Sequence, residues 1–191
     1  MKKGVNPDVV HFPAEAVRQS VKRFPTPFFL YDERRLRENC RRFREAFRQY
    51  FPSFQPLFAV KANTNPDLLR IIFSEGFGAD ASSEPEAWIA AQLKAGGMYT
   101  GNYTTPGEFR YVMRLGNLLI NLDDISMLPT LKQLGMPEFI SFRVNPGISQ
   151  GGMRSLFLAG PDAKYGVPAG QLLKPIVRRA LWAPAVSGCM P

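Results

Sequence analysis

Six short runs of apolar or small residues recur along the chain, and longer mixed segments separate them: FFLY at 28–31, LFAV at 57–60, GADAS at 78–82, MYTGN at 98–102, LLINL at 118–122 and FISFRV at 139–144. The runs are too short for helices, and the stretches between them can each hold one, so every unit reads as a strand followed by a helix. Strands joined by crossovers of this kind pair in parallel. No G-x-G-x-x-G turn follows the first run, so nothing specific supports a dinucleotide-binding sheet. The pattern predicts an α/β chain forming an incomplete (β/α)8 TIM barrel with about six βα units. Its chemistry is expected at the carboxyl ends of the strands.

The intervening segments carry helix signals of their own. RRLRENCRRFREAFRQ, at 34–49, spaces Leu36, Cys40, Phe43 and Phe47 by four and three residues, leaving its arginines on the opposite side, which predicts a helix on the outside of a barrel. Much of the formal net charge of +8 is concentrated there. A basic surface attracts phosphate backbones without sequence specificity, but no nucleic-acid-binding motif or aromatic stacking array accompanies it. A second helix is expected to open at Asn65-Pro66, burying Leu68, Leu69, Ile71, Ile72 and Phe73. A third is expected in EPEAWIAAQLKAG, with Pro85 in its first turn and Gly96 or Gly97 at its carboxyl cap.

Several function classes lack their parts. The amino terminus has two lysines but no apolar run of the secretory type, and no stretch of about 18 apolar residues exists, so a soluble cytoplasmic protein is expected. Cys40 and Cys189 lie far apart, and His11 is the single histidine. Neither a zinc site nor serine–histidine catalysis can be assembled from them.

Lys61 stands out because it follows LFAV directly, placing an ammonium group at the carboxyl end of a strand that should be buried. Other polar residues fall at equivalent ends: Asn63; Asp80 with Ser82 and Ser83; Asn102; Asp123 and Asp124; Arg143 and Asn145. Taken singly, each is explained by a strand end approaching water. Taken together, they would line one mouth.

The blocks TPFFLYD (26–32), FAVKAN (58–63), GFGADASSEPE (76–86), TGNYTTPGE (100–108), INLDD (120–124), FRVNPG (142–147) and AKYGVP (163–168) together resemble the barrel domain of pyridoxal-phosphate decarboxylases of the alanine-racemase fold group. That family includes the diaminopimelate, ornithine and arginine decarboxylases, and the diaminopimelate type is the most similar. The resemblance implies pyridoxal 5'-phosphate as cofactor, decarboxylation of an amino acid, and Lys61 as the catalytic Schiff-base lysine. It also implies that Asp80 and Glu86 position that lysine, and that Arg143 is a cationic group at the cofactor's polar edge. A small-molecule amino-acid substrate, free or carrier-bound, and a homodimeric full-length enzyme are implied likewise, with no nucleic-acid or membrane partner and no metal. A racemase or pyridoxal-phosphate carrier of the same fold is an alternative, as is a non-catalytic relative that binds a partner protein.

The chain departs from that pattern in two places. Arg154, in GGMRSLFLAG, stands about where the diaminopimelate type carries a histidine, which bears on the substrate. The resemblance also implies two further βα units and a β-rich domain, contributing a ring-stacking histidine, a glycine-rich phosphate turn and an acid facing the pyridine nitrogen. His11 cannot be that stacking histidine by position. The expected organisation is an amino-terminal arm at 1–24, a partial barrel at 25–178 and an atypical tail at 179–191, the whole being a fragment inactive alone.

Overall fold

The computed structural model describes residues 12–147 and 165–172. His11, Arg154, Cys189 and the tail at 179–191 lie outside the described residues. Helix α1 (Ala14–Arg23) falls within the segment expected to be an arm, and none of its residues is buried. Helix α2 (Glu33–Arg48) follows, and the alternation then runs β1 (Leu57–Ala59), α3 (Pro66–Ser74), β2 (Gly78–Ala81), α4 (Glu84–Gln92), β3 (Gly97–Tyr99), α5 (Pro106–Leu115), β4 (Leu118–Leu122), α6 (Leu128–Leu134) and β5 (Ile140–Phe142). These five strands form one parallel sheet in chain order, as the alternation predicts. A short pair, β6 (Val144–Asn145) and β7 (Val167–Pro168), runs parallel beyond it, and α7 (Ala169–Leu172) closes the described chain.

The first expected strand differs. FFLY at 28–31 belongs to no strand, and the sheet opens instead with the second apolar run. Its β-prone residues find no backbone partner among the described strands, and Pro25 and Pro27 beside it carry no N–H to donate. Phe29 is accordingly 88% exposed.

Local chemistry sets the helix starts. Asp32 accepts the Arg35 N–H at the head of α2, and Thr105 accepts the Glu108 N–H at the head of α5. Asn65 accepts the Asp67 N–H at the head of α3, where Pro66 occupies the first turn. Each pairs a backbone donor that the helix cannot satisfy by itself. The carboxyl end of α4 departs from expectation: Leu93 caps it, and Gly97 lies in β3. There, a Cβ would overlap the Ala79 backbone. Glycine is required for β3 to approach β2 this closely.

Alternation in the strands divides the sheet into two faces. Ala81, Tyr99, Ile120 and Leu122 point one way into a core completed by Ala87, Phe109, Val112 and Leu131 of the helices. Val60, Leu69, Ala79, Ala90 and Ala95 extend that packing. The opposite face carries Ala59, Asp80, Met98, Leu119, Asn121 and Ser141, as the pairings Ala59–Asp80, Asp80–Met98, Met98–Leu119 and Asn121–Ser141 require. The apolar core therefore lies between sheet and helices, and the helix-free face is rich in polar groups.

The basic helix is tied down by one acid. Glu75, 8% exposed, accepts from Arg37 Nη1 at 2.9 Å and from Arg41 Nε at 2.9 Å, while Arg44 reaches its carbonyl oxygen at 2.6 Å. Hydrogen bonds from Arg41 and Arg37 hold its carboxyl down at about 2. A folded-state value below the unfolded one adds stability above the unfolded value, and this is lost as pH falls through the folded one. Acid unfolding should therefore lose this contribution between about pH 4.5 and 2. Glu75→Gln is expected to lower the melting temperature at pH 7 and to flatten its decline across that interval, as calorimetry against pH would show. A parallel decline in both proteins would refute the assignment.

Candidate active site

Lys61 does not close a strand. It sits in a single 3-10 turn, Val60–Ala62, immediately after β1. Val60 is fully buried in the core while Lys61 is exposed, so the turn anchors on one residue and presents the next. Asn63 ends it and fixes the following chain: its Oδ1 accepts the Asn65 N–H at 3.0 Å, and its Nδ2 donates to the Tyr31 hydroxyl at 3.1 Å.

Asp80 lies in β2, paired with Ala59, which stands two residues before Lys61 in the chain. Burial pushes its carboxyl up, while the Lys61 charge pulls it back down; Glu86 raises it and Arg143 lowers it. The structure thus gathers Lys61, Asp80, Glu86 and Arg143 into one electrostatic neighbourhood. Asp80 Oδ1 is buried and has no partner among the described residues; Asn102 Oδ1, past β3, is in the same position.

Glu86 reaches the site through the backbone. It lies three residues after Ser83 at the head of α4, accepting the Ser82 N–H at 2.8 Å and the Ser83 hydroxyl at 3.0 Å. The Ser83 side chain accepts no cap hydrogen bond, so the Glu86 carboxylate alone ties the turn that follows Asp80 to the first turn of α4.

Arg143 and Asp123 stand on neighbouring strand ends, joined from Arg143 Nη1 to Asp123 Oδ1 at 3.3 Å. Burial raises the Asp123 carboxyl, opposed by the charge and hydrogen bond of Arg143 and by the Gly166 N–H. The Arg143 guanidinium also lies over the Tyr165 ring, 4.5 Å from its centroid, a favourable placement for a cation. Residues 165–168 are thereby folded onto the strand ends. A Cβ on Gly166 (φ +84°) would press on the Asn145 N atom.

Other strand-end residues serve local structure. Asp124 is exposed and accepts the Ser126 N–H at 2.7 Å. Asn145 accepts the Gly147 N–H at 2.9 Å. Three residues not singled out from the sequence lie on the polar face: Thr100, Asn121 and Ser141. Asn121 Nδ2 donates to Thr100 Oγ1 at 3.1 Å, and Ser141 Oγ donates to Asn121 Oδ1 at 2.8 Å. The signal for the latter two is a polar residue inside an apolar run, in LLINL and FISFRV.

This face offers an exposed primary amine, a buried carboxyl with an unpartnered oxygen, and an arginine held by an acid and an aromatic ring. An amine and an acid so placed suit a cofactor bearing an aldehyde.

Residues 33–180 match the family model described as pyridoxal-dependent decarboxylase, pyridoxal binding domain. The chain is 39% identical over 151 residues to a diaminopimelate decarboxylase from Methanothermobacter thermautotrophicus, covering 75% of this chain and 34% of that protein. It is 34% identical over 155 residues to protein TabA of Pseudomonas amygdali pv. tabaci, covering 79% and 35%. Among solved structures, diaminopimelate decarboxylase from Helicobacter pylori complexed with L-lysine superposes with a TM-score of 0.72 at 24% identity, covering 84% of this chain and 41% of that one. Diaminopimelate decarboxylase from Methanocaldococcus jannaschii gives 0.68 at 26% identity, covering 82% and 38%. The chain thus spans about a third of the length of the curated relatives it matches.

Proposed function

Because this chain belongs to the pyridoxal-dependent decarboxylase family through its pyridoxal binding domain, we propose that it forms the cofactor-holding face of an enzyme that removes the α-carboxylate of an amino acid, with Lys61 as the residue that binds the cofactor covalently. Family membership implies pyridoxal 5'-phosphate as that cofactor. The carrying observation is an exposed Lys61 on a 3-10 turn within electrostatic reach of Asp80, whose buried Oδ1 has no partner among the described residues.

When bound, pyridoxal phosphate supplies an aldehyde for amines and a conjugated ring that takes up the electron pair left by departing carbon dioxide. The residues of the chain do the rest. Lys61 Nζ offers a primary amine on a flexible stem, able to engage, withdraw and return. Asp80, within electrostatic reach of Lys61, balances the proton that Nζ carries whenever it is free. Glu86 holds the 82–83 turn and so the approach to Asp80. Arg143, gripped by Asp123 and Tyr165, presents a fixed positive charge to the cofactor's polar edge.

The substrate class we assign is a basic or dicarboxylic amino acid. Support comes from the relatives named diaminopimelate decarboxylase and the neighbour solved with L-lysine.

The test combines two measurements. Borohydride reduction of the enzyme loaded with pyridoxal phosphate, followed by peptide mapping, is expected to leave the pyridoxyl group on Lys61. A label on Lys94 or Lys164 would overturn the lysine assignment. Carbon dioxide release across a panel of amino acids should single out a basic or dicarboxylic member. Racemisation of alanine with no carbon dioxide from any member would replace the decarboxylase reading with a racemase.

A further inference from the structure

The loop after β3 is pinned at both ends and in its middle. Its first residue, Thr100, gives its N–H to the Ala81 carbonyl oxygen of β2 at 2.8 Å, and its hydroxyl oxygen accepts from Asn121 Nδ2 at 3.1 Å. Its last, Thr105, accepts the Glu108 N–H at 3.2 Å at the head of α5. Between them the loop closes over one atom, the Tyr99 hydroxyl oxygen. Tyr99 is fully buried with its ring in the helix-side core, and its hydroxyl donates to Glu108 Oε1 at 2.6 Å. With that proton committed, the Thr104 hydroxyl, 3.5 Å away, is left to donate to the same oxygen. Gly101 crosses here so closely that a Cβ would overlap the Tyr99 hydroxyl and Thr104 Oγ1, an approach that glycine alone allows. Burial and the bond to Glu108 push the Tyr99 phenol up, so it remains a donor throughout the neutral range.

Asn102 and Tyr103 are held inside this frame. Tyr103 takes a left-handed conformation, φ +53°, which a tyrosine adopts where its surroundings impose it. Asn102 Oδ1 is buried and has no partner among the described residues. A carbonyl oxygen so placed is costly, and a pinned loop cannot turn it out to water. The loop leaves the sheet at the carboxyl ends of its parallel strands, the end at which Lys61 follows β1.

We propose that Asn102 is a substrate-binding residue whose side-chain oxygen accepts a hydrogen bond from an ammonium group of the amino-acid substrate, with Tyr99 and Glu108 as the positioning residues that hold it in place. This inference rests on the amino-acid reading of the site and adds a contact and the latch behind it. The amide oxygen only accepts, and on a basic or dicarboxylic amino acid at neutral pH the ammonium groups are the donors while the carboxylates accept. Tyr99 and Glu108 act through the loop alone.

The test uses the purified full chain and two probes, L-lysine and hexanoate, the latter being the same carbon chain without its amines. Protein labelled with 13C,15N-asparagine reports the Asn102 carboxamide, assigned by its loss in Asn102→Ala. L-Lysine is expected to move that resonance saturably and hexanoate to leave it still. Tyr99→Phe, which keeps the ring and loses the hydroxyl, should raise the L-lysine dissociation constant about fivefold, and Glu108→Ala should match it. Glu108→Gln, which keeps an acceptor for the phenol, should stay within about twofold of the parent. The double variant Tyr99→Phe/Glu108→Ala should bind no worse than either alone. A latch that serves stability only would lower the melting temperature and leave the L-lysine constant unmoved. That result would overturn the proposal, as would an Asn102 resonance that ignores L-lysine or follows hexanoate equally. If Tyr99→Phe fails to fold, Glu108→Ala against Glu108→Gln decides the same question from α5. The pyridoxyl mapping of Lys61 requires no contact at Asn102, so either result can fail while the other stands.

Discussion

Replacing Lys61 by alanine is expected to abolish covalent retention of the cofactor and to cut carbon dioxide release by about a thousandfold or more in the enzyme that carries this domain. The side chain is exposed on its turn, and the residue that anchors that turn is Val60, so the melting temperature should scarcely change. Lys61→Arg is the sharper variant. It keeps a positive charge opposite Asp80 but offers a guanidinium, which remains protonated and does not condense with an aldehyde under these conditions. Both variants should lose the visible absorption of the bound cofactor, and neither should recover activity at high cofactor concentration. Near-normal turnover in Lys61→Arg would show that the lysine contributes charge alone.

The second large effect is expected at Gly97. Its position in β3 leaves no room for a side chain, because a Cβ would overlap the backbone of Ala79 in β2. Gly97→Ala must therefore push these neighbouring strands apart or distort one of them. The obstacle is main chain, so no rotamer change relieves it. We expect a loss of about 3 kcal/mol or more in unfolding free energy, a large share of the roughly 5–15 kcal/mol typical of a domain. Denaturant melts would record it directly. The displacement would also shift Met98 relative to Asp80, its partner in β2. A stability within about 0.5 kcal/mol of the parent would mean that the strands have room to separate at little cost.

Much of this architecture is visible in the amino-acid order. Apolar runs at 57–60, 78–82, 118–122 and 139–144 each contain a strand of the sheet, and the run at 98–102 overlaps one that starts at Gly97, because a strand with one face on helices and regular crossovers has few other places to go. FFLY forms no strand for a physical reason: β propensity is a preference for a pleated, paired surface, and the described strands give residues 28–31 no partner. The polar strand ends look alike in the sequence, yet Asp124 and Asn145 spend their oxygens on backbone donors two residues ahead. Asparagine and aspartate do this wherever a chain turns, and the sequence does not distinguish a turn-maker from a ligand.

The polar face shows the opposite difficulty. Asn121 and Ser141 stand out in LLINL and FISFRV as polar intrusions, but which face they occupy depends on register. Once Asn121 is set opposite Ser141, their pairing follows. Glu86 is legible as an acid near Asp80 through the resemblance, whereas its two hydrogen bonds to the 82–83 turn emerge only with α4 in place.

Odd and even positions of the same strands carry different burdens: Ala79, Ala81, Tyr99, Ile120 and Leu122 pack against helices, while Asp80, Met98, Asn121 and Ser141 face the other way. Substitutions in the first set therefore act on how the sheet packs against its helices, and substitutions in the interleaved set act on the polar face.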